Sequence, residues 1–450
     1  MSENKGIKKV CMISMNKMSE NKEIKKACMI STHGYFDAKP KLGLIDTGGQ
    51  VVYVLELAKE MAKKGVEVDI YTRKFENRDD FEDVCKGVRI IRIPCGGEHF
   101  IPKEWLYEFL PDYIKNMVNF IRRCNIRYDV INSHYCDAGY VGMKVSKKLG
   151  IPHIHTAHSL GAWKQELIKG DPKALEKKFR FKLRIKTEKK IYDKSEFVIA
   201  TTYLQKEKYI ESYNLNQEKI KVVPCGFEER FQPMKVDRKQ MSVDLPERFI
   251  LTLGRMAENK GYDLFIKAVE PILKKFKDID VVIAAGSLHD TDYERLLRKN
   301  LKHITRELGI KNRIIFMSDF IPLKEVPSVY NLAEIFVVAS TYEPFGITAI
   351  EAMACKKPLV LTSLGGLKDF MTDRENAMIV DPRDTLSLSG AMDQLLTDKE
   401  LYKKIAENGY QYTLNTFTWD AVAEKMLGIY VEAIKKQEDK IKEILRSCVK

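Results

Sequence analysis

The sequence contains no long hydrophobic run and little that would place it in a membrane or an oxidising compartment. Among its 450 residues, no apolar stretch approaches the ~20 residues that a membrane-spanning helix needs. The first nine residues are polar and charged, without the apolar segment of a secretory signal. Its nine cysteines include no CxxC pair, and Cys28, Cys136 and Cys355 lie in apolar surroundings. These features argue against a disulfide framework or a zinc site and predict reduced cysteines in a cytoplasmic protein.

The length and charge of the chain limit the number of its domains and the kinds of partner that it can bind. A chain of 450 residues is too long for one hydrophobic core, so two or three domains are expected. Of the net charge of +13, residues 164–194 supply an excess of seven, with twelve Lys or Arg against five Asp or Glu. An ordinary solvated helix face, an anionic substrate or an acidic membrane surface would each suit this segment. Aromatic residues do not interleave with the basic run and no recognised nucleic-acid-binding module is present, so no nucleic-acid partner is expected.

The N-terminus contains a near-duplicated segment. Residues 1–14 (MSENKGIKKVCMIS) recur at residues 18–31 (MSENKEIKKACMIS), and the copies differ only at Gly6/Glu23 and Val10/Ala27. Only the second copy continues into a glycine-containing loop. We therefore expect residues 1–17 to be a leader that is disordered or loosely docked.

Short apolar runs alternate with longer helical stretches along the rest of the chain, which predicts doubly wound parallel α/β domains. The predicted strands of a first domain are Ala27–Ser31, Val66–Thr72, Val88–Pro94, Asp129–Ser133, His153–Ala157, Phe197–Thr201 and Lys221–Pro224. Those of a second are Phe249–Leu253, Val281–Ala285, Arg313–Met317, Ile335–Ala339, Leu359–Thr362 and Ala377–Val380. Residues 225–245 are typical of a linker, so we expect domains at 18–236 and 237–418, followed by a long amphipathic helix within 419–450.

Residues 343–354 (EPFGITAIEAMA) are the most informative segment. They lie between two apolar runs, each typical of a buried parallel strand. Gly346 lets the backbone approach a ligand, and the helix that follows directs free N–H groups and its positive dipole end toward it. Glu343 and Glu351 bracket this turn. The arrangement suits a ligand with hydroxyl groups and negative charge, such as a sugar nucleotide.

Two further loops suit the same ligand. Residues 251–261 (LTLGRMAENKG) place Gly254, Arg255 and Lys260 on a strand-to-helix loop. The planar fork of an arginine and the point charge of a lysine can converge on one diphosphate and stabilise the charge of a departing nucleoside diphosphate. In the first domain, Gly48 and Gly49 open a helix, where the main chain can approach a diphosphate or sugar.

These strings resemble the retaining glycosyltransferases of family 4, which have the GT-B fold of two Rossmann-like domains with a cleft between them. Residues 343–354 resemble the E-x7-E motif, and residues 251–261 resemble the G-R-x-x-x-x-K-G loop. The resemblance implies that Glu343 contacts the hexose hydroxyls and Glu351 the nucleotide ribose, and that the C-terminal helix crosses back onto the first domain. The backbone N–H groups implied to hold the sugar are those of Phe345, Gly346 and Ile347.

The resemblance also implies a mechanism. In the family, a departing phosphate oxygen takes the acceptor proton, so we expect neither an acid/base pair nor a covalent intermediate on Glu343. The expected catalytic set is Arg255, Lys260, Glu343 and His158, the last resembling a family histidine near the transferred hexose. No Asp-x-Asp stands in the metal-bridging position of metal-dependent glycosyltransferases. We expect no tightly bound cofactor besides the nucleotide-sugar donor; Mg²⁺ could stimulate the reaction but is not required by the fold.

His153, His155 and His158 together could suggest a metal cluster. Because side chains alternate between the two faces of a strand, we expect that all three cannot converge on one ion without a bend. His153 and His155 are therefore expected to have packing roles.

Several strings in the first domain resemble the sucrose-phosphate-synthase branch of the family, in which the acceptor is fructose 6-phosphate. These strings are STHG (31–34), DTGGQ (46–50), FIPKE (100–104), HYCDAG (134–139), HSLG (158–161) and RIKTE (184–188). A phosphate group needs cations from different elements. Lys103 and Arg184 match positions that serve this role, with Arg180 and Lys164 as weaker candidates, and Gln50 is expected to touch the acceptor sugar.

Two strings, NKGYDLFIKA and YEPFGITAIEAMA, are similar to mannosylfructose-phosphate synthases. They favour GDP-mannose as the donor and fructose 6-phosphate as the acceptor. The alternatives are a sucrose-phosphate synthase using UDP-glucose, a peripheral-membrane lipid hexosyltransferase docking through residues 164–194, a non-catalytic sugar-nucleotide binder and an epimerase. Membrane association is not favoured, because the basic segment lacks a large apolar face. The sequence does not fix the donor base or the oligomeric state.

Overall fold

The computed structural model describes residues 23–40, 46, 48–168, 170–286, 291–317 and 321–449. The expectation about residues 1–17 lies outside them. The chain divides into two compact units. The first comprises the chain up to Thr201, Lys206–Val223 and Val422–Lys450, and the second comprises Thr202–Gln205 and Pro224–Ala421.

The first unit contains one sheet. Its strands are β1 Lys26–Ile30, β2 Glu67–Lys74, β3 Phe81–Cys85, β4 Val88–Pro94, β5 Val130–His134, β6 His153–Thr156, β7 Phe197–Ala200 and β8 Ile220–Val222. Their order is β3-β4-β2-β1-β5-β6-β7-β8. The β3–β4 pair is antiparallel and the other neighbours are parallel.

Helices alternate with these strands. They are α1 Gly49–Lys63, α2 Leu110–Arg123, α3 Cys136–Leu149, α4 Gly161–Leu167, α5 Pro172–Phe179, α6 Phe181–Lys194 and α7 Tyr203–Tyr213. A 3-10 turn, Lys103–Glu108, precedes α2.

The second unit is a six-stranded parallel sheet. Its strands are β9 Phe249–Gly254, β10 Asp280–Ala285, β11 Ile314–Met317, β12 Ile335–Val338, β13 Leu359–Thr362 and β14 Met378–Val380. Their order is β11-β10-β9-β12-β13-β14. The helices are α8 Tyr262–Lys275, α9 Asp292–Glu307, α10 Val326–Leu332, α11 Ile347–Ala354, α12 Thr385–Thr397 and α13 Lys399–Thr416.

Both faces of this second sheet are buried. Ile283 and Val337 belong to the core on one face, and Leu251 and Phe336 belong to the core on the other. Because both faces of the sheet are buried, the residues on both sides of each strand are apolar, and the strand sequences are continuous apolar runs. It also makes the strand ends a rigid support for the loops that follow them.

The predicted fold class is confirmed: two doubly wound parallel-sheet domains and a C-terminal helix. Every predicted strand is present, with ends shifted by at most two residues. The sequence prediction missed β3, whose residues alternate between exposed and half-buried positions. This antiparallel edge strand lacks the continuous apolar run on which the prediction depended.

The C-terminal helix α14, Trp419–Val449, packs within the first unit from Val422 onward. Asn132 Nδ2 donates to Tyr430 Oη at 2.8 Å, and Lys440 Nζ lies 2.7 Å from Glu196 Oε1. The predicted crossing back is therefore confirmed, and the helix lies within the predicted range of 419–450. Among the described helices, none combines the length and apolar character needed to cross a bilayer.

Candidate active site

Two loops of the second unit meet at one point of its sheet. Arg255 and Lys260 follow β9, and Glu343 follows β12, which is the neighbour of β9. Strand order runs in opposite directions on the two sides of the β9–β12 boundary. Open α/β sheets bind their ligands at the carboxyl ends of strands at such a reversal.

Backbone contacts join the two loops. Thr341 N donates to Asn259 O at 2.9 Å, and Asn259 Nδ2 donates to Tyr342 O at 2.9 Å. Gly261 has a φ of +64°, and a Cβ built on it would lie 2.0 Å from Ala339 O. Only a glycine permits this approach, which brings the end of the β9 loop against the end of β12.

The predicted lysine and carboxylate lie side by side. Lys260 Nζ is 2.5 Å from Glu343 Oε2, with side-chain exposures of 15% and 13%. The carbonyl of Glu343 also accepts a hydrogen bond from Gly366 N at 2.9 Å, which fixes the turn. The side chain of Arg255 is exposed, while its carbonyl accepts from Tyr262 Oη at 3.1 Å. The lysine and the carboxylate can therefore act on one ligand.

The start of α11 offers backbone donors beside this pair. Gly346, with a φ of +107°, caps the helix, and its carbonyl accepts from Ala349 N at 3.0 Å. Within the described part of the chain, no acceptor is bonded to the N–H groups of Phe345, Gly346 or Ile347. Such free donors at a helix N-terminus favour hydroxyl or phosphate oxygens.

Glu351 lies one turn further along α11. Its Oε2 accepts a hydrogen bond from Tyr330 Oη at 2.9 Å. Burial raises the pKa of Glu351 to about 7, although the hydrogen bond from Tyr330 and the charge of Arg230 act in the opposite direction. This carboxylate therefore changes its charge near neutral pH.

The first unit presents the other predicted site residues. Gly48 precedes α1 and Gly49 begins it, and a Cβ built on either would meet no described atom within 4 Å. Gln50 Nε2 donates to Ser31 Oγ at 2.9 Å and to His134 O at 3.2 Å. The start of α1 is thereby held against the ends of β1 and β5.

His158 is half-buried, with a φ of +56°. Its Nε2 lies 3.0 Å from His134 Nδ1, and its ring meets that of Tyr53 edge-on at 5.0 Å. Burial, and secondarily the charge of His33, lowers the pKa of His158 to about 3. The imidazole is therefore a neutral hydrogen-bonding group at physiological pH.

The strand argument for the histidines needs correction. His153 and His155 are two residues apart on β6, so they share a face, and both approach Ser133 Oγ, at 2.7 and 2.8 Å. His153 also lies 3.3 Å from Ser195 Oγ. His158 contacts His134 instead. The first two histidines thus make packing contacts, and nowhere in the described ranges do three His, Cys, Asp or Glu residues gather as metal ligands would.

Two candidate acceptor cations near the 3-10 turn have protein partners. Lys103 forms an ion pair with Asp46. Arg180 Nη1 donates to Glu104 O at 3.2 Å, and its guanidinium lies 4.7 Å from the Trp105 ring.

Arg184 is part of a buried network. Its Nε donates to Glu188 Oε1 at 2.8 Å, its Nη2 donates to Ser159 O at 2.7 Å, and its guanidinium lies 4.8 Å from the Tyr135 ring. Glu188, which is fully buried, also accepts from the Tyr213 hydroxyl. Any anion near Arg184 would share it with this carboxylate.

Lys164, on α4, differs from these cations. It is half-buried, and its Nζ lies 4.4 Å from the Phe179 ring. Burial lowers the pKa of Lys164, and the charges of Arg184 and Lys103 lower it further, while the charges of Glu104 and Asp46 act in the opposite direction, so both cations and carboxylates lie near it. No described carboxylate forms an ion pair with it. Sequence reasoning ranked Lys164 low, because only the folded structure shows which cations already have partners.

Comparison with known proteins gives matches over most of the chain. Family models described as Glycosyltransferase Family 4 and Glycosyl transferases group 1 match residues 47–231 and 233–412. The chain is 39% identical to mannosylfructose-phosphate synthase of Agrobacterium fabrum, covering 88% of this chain and 89% of that protein. It is 32% identical to a probable sucrose-phosphate synthase of Thermosipho melanesiensis, covering 85% and 90%. The solved sucrose-phosphate synthase from Thermosynechococcus elongatus matches with a TM-score of 0.72 at 27% identity, covering 92% and 100%.

Proposed function

We propose a specific reaction for this chain, which belongs to glycosyltransferase family 4 and is a hexosyltransferase with the GT-B fold. In this reaction, a hexose moves from a nucleotide sugar to a hydroxyl of a hexose phosphate. The favoured substrates are GDP-mannose and fructose 6-phosphate, which would give mannosylfructose phosphate. The similarity to a mannosylfructose-phosphate synthase over most of both chains supports this choice.

The donor side rests on the Lys260–Glu343 pair. In the proposal, the diphosphate of the donor contacts Arg255 and Lys260 in the second unit, and Lys260 then shares its charge between the phosphate and Glu343. Fixed cations stabilise the negative charge that develops as the glycosyl–phosphate bond breaks. A Cβ built on Gly254 would lie 3.2 Å from Tyr262 Oη and 3.7 Å from Lys260 Nζ, so the glycine leaves room for these two side chains.

The hexose and the ribose have donors and acceptors in place. The free N–H groups at the start of α11 and the carboxylate of Glu343 would bind hexose hydroxyls. Glu351 would bind the ribose. In the first unit, His158, neutral at physiological pH, is a hydrogen-bonding group available to a sugar hydroxyl.

The single observation that carries the acceptor assignment is the group of cations in the first unit. Lys164 is close enough to Arg184 and Lys103 for their charges to lower its pKa, against the opposite effect of Glu104 and Asp46, and it has no described ion-pair partner. Three cations from different elements form the environment that a phosphate monoester requires. We assign Lys164 as the main phosphate contact, with Lys103, Arg180 and Arg184 in supporting positions and Gln50 near the sugar.

In the proposed reaction, no separate catalytic base is needed to remove the acceptor proton. The bond from the anomeric carbon to the donor phosphate oxygen breaks, and a bond to the acceptor hydroxyl oxygen forms on the same face of the hexose. The acceptor proton passes to the departing phosphate oxygen. The products are a nucleoside diphosphate and a disaccharide phosphate, and no covalent intermediate forms on Glu343.

A nucleoside-diphosphate release assay tests this proposal. Fructose 6-phosphate is supplied with GDP-mannose in one reaction and with UDP-glucose in another, and each donor is also incubated alone. Acceptor-dependent release of GDP would support mannosylfructose-phosphate synthesis. Acceptor-dependent release of UDP would instead favour sucrose-phosphate synthesis, to which a second curated relative is similar. No release by folded protein in either reaction would overturn the acceptor assignment.

A further inference from the structure

The second unit contains a surface cavity that the proposed reaction leaves unused. Its volume is about 920 Å³, and small-molecule sites commonly occupy about 300–1,000 Å³. The lining comes from four places: the segment before β9, the end of α10, the turn between α11 and β13, and the first half of α13. None of the residues assigned to the donor or the acceptor lines it.

The cavity lies toward the amino ends of the strands. Two of its lining residues, Asn331 and Lys357, come just before β12 and β13. The loops that carry Arg255, Lys260 and Glu343 follow their strands instead, and so lie at the carboxyl edge of the same parallel sheet. The cavity is therefore separate from the proposed donor contacts, and a ligand in it would be held by a different set of residues.

The lining of the cavity is positively charged. Five of its residues are lysines, two are glutamates and none is an aspartate. Three of these lysines form ion pairs with carboxylates: Lys356 with Glu407, Lys403 with Glu400 and Lys404 with Glu375. The other two, Lys235 and Lys357, have no ion-pair partner among the described residues. The cavity therefore offers two cations to an anionic ligand.

The ammonium group of Lys357 has hydrogen-bond donors left for a ligand. The side chain is half-buried, and its Nζ donates to Asn331 O at 2.6 Å. An ammonium group has three N–H donors, and the described residues supply only this one acceptor. Burial lowers the pKa of Lys357, with Cys355 and Glu334 acting in the opposite direction. A bound anion would stabilise this partly desolvated cation, because it would replace the water that burial removes.

Asn331 also fixes the segment that carries the second free lysine. Its Nδ2 donates to Gln232 O at 2.9 Å, and its Oδ1 accepts from Met234 N at 2.9 Å. Lys235 follows directly and is exposed. Contacts of one residue thus hold both the main chain beside Lys235 and the Nζ of Lys357, so the two lysines are placed at the same cavity.

We propose that this cavity binds the phosphate group of a small molecule through Lys235 and Lys357. Two lysines from different segments can contact one phosphate from two sides. Pro233, Met234 and Tyr402 add apolar surface to the lining, and the volume is larger than a phosphate ion needs. The cavity therefore has room for a phosphorylated metabolite as well as for free phosphate. The inference does not rest on the proposed reaction, since the two share no residue.

Lysine acetylation of the full-length chain, read by peptide mass spectrometry, tests the site directly. The acetylation rate of each lysine is measured with inorganic phosphate, with fructose 6-phosphate, and with potassium chloride at equal ionic strength. A bound phosphate keeps the ammonium group protonated and covered, so we expect acetylation of Lys357 and Lys235 to slow by about threefold or more at saturation. The concentrations of the two phosphate compounds that give half of this protection distinguish free phosphate from a sugar phosphate as the ligand.

Lys399 is the matched control, because it is exposed at the start of α13 and does not line the cavity. Its acetylation should respond equally to phosphate and to chloride. Equal slowing at Lys357 and Lys399 would overturn the inference, and so would equal slowing of Lys357 by phosphate and by chloride. Absence of protection by both phosphate compounds would overturn it as well.

Substitutions then show that the two lysines act on one ligand. Lys357→Met should remove the protection of Lys235, whereas Lys399→Met should leave it unchanged. If Lys357→Met does not fold, Lys235→Met takes its place, and the protection of Lys357 should then weaken. Undiminished protection in the cavity variant would overturn the inference. Lys164→Ala and Lys260→Ala should keep the protection of Lys357, and its loss in either would contradict a site separate from the proposed reaction.

Discussion

The proposed donor and acceptor sites are assembled in different ways. The donor candidates of the second unit lie on two loops that follow neighbouring strands, and their central lysine and carboxylate contact each other directly. The acceptor candidates of the first unit come from separate segments between Ser31 and Glu188, and most of their charges are already paired. A site on two adjacent loops depends on local sequence. When the residues of a site come from many elements, its ability to bind an anion depends on which charged side chains remain unpaired after folding.

The difference has a chemical consequence. A donor diphosphate can compete directly with Glu343 for Lys260, because both partners of that pair are accessible to a ligand. Arg184 cannot leave Glu188 in the same way, since an unpaired buried carboxylate is costly. Of the described Lys103, Lys164 and Arg184, only Lys164 has no described ion-pair partner, so we propose it as the contact for an anionic ligand.

The largest effect expected from this comparison is on stability. Arg184→Ala leaves the buried Glu188 without its cation, and removing one partner of a buried pair costs about 3–5 kcal/mol. Denaturant unfolding of the variant and wild type measures the loss. Lys189→Ala is the control, because it breaks the exposed Lys189–Asp193 pair on the same helix and should change stability little. Equal effects of the two substitutions would contradict the structural role of Arg184.

The next effect is on turnover. Lys260→Ala removes the cation beside Glu343, and removal of one fixed stabilising group lowers kcat by about 10²-fold or more. Nucleoside-diphosphate release at saturating substrates measures this. The control is Lys275→Ala. Lys275, at the end of α8, forms an ion pair with Asp393 of α12, and its loss should leave turnover at the wild-type level. Full activity of Lys260→Ala would remove the basis for the donor assignment.

A smaller and more selective effect is expected at Lys164. Lys164→Ala should raise the acceptor KM about tenfold and leave the donor KM unchanged, because a charge-assisted hydrogen bond to phosphate is lost. Initial rates with each substrate varied in turn separate the two constants. The control is Lys178→Ala, since Lys178 is exposed and approaches the same Phe179 ring at 5.2 Å. A parallel rise in both KM values would argue against a phosphate contact.

The smallest effect is a pH dependence at Glu351. Its pKa of about 7 means that the ionised form grows between pH 6 and 8, and an ionised carboxylate is the better acceptor for ribose hydroxyls. Nucleoside-diphosphate affinity, measured by calorimetry across this range, should therefore rise severalfold with pH. Glu351→Gln should lack the rise; a variant with the wild-type profile would assign the dependence elsewhere.

The same pKa shift predicts a direction for stability. Burial raises the pKa of Glu351 from its ordinary value of 4.5, so the folded state holds a proton that the unfolded chain has released. The stabilisation is full below pH 4.5 and is lost as pH rises through about 7. Wild type should therefore lose stability relative to Glu351→Gln over this window.

The contrast between a site on adjacent loops and one built from distant segments also explains which candidate site residues could be predicted from the sequence. Arg255, Lys260 and Glu343 were recognisable because each stands in a contiguous string beside an apolar strand. Their joining through Asn259 and Gly261 depends on the pairing of β9 with β12, which a local pattern does not contain. The sequence favoured Lys103 and Arg184 over Lys164, although the structure pairs the first two with Asp46 and Glu188.

Two features that the sequence analysis did not predict depend on long-range contacts. Strand β3 has no apolar run because it lies at a sheet edge, and its existence depends on pairing with β4. The contact of Asn331 with Gln232 joins residues 99 apart in the chain, so no spacing rule could indicate the cavity that Asn331 helps to form. Long-range contacts decide these features, whereas burial and helix-terminus signals decided those that were predicted.

The most direct test of the proposed function is a comparison of fructose 6-phosphate with fructose as acceptor, using the donor that the protein accepts. A site built around Lys164 predicts that wild type prefers the phosphorylated sugar about 10²-fold in kcat/KM and that Lys164→Ala loses most of this preference. Equal use of the two sugars by wild type, or an undiminished preference in Lys164→Ala, would contradict the account.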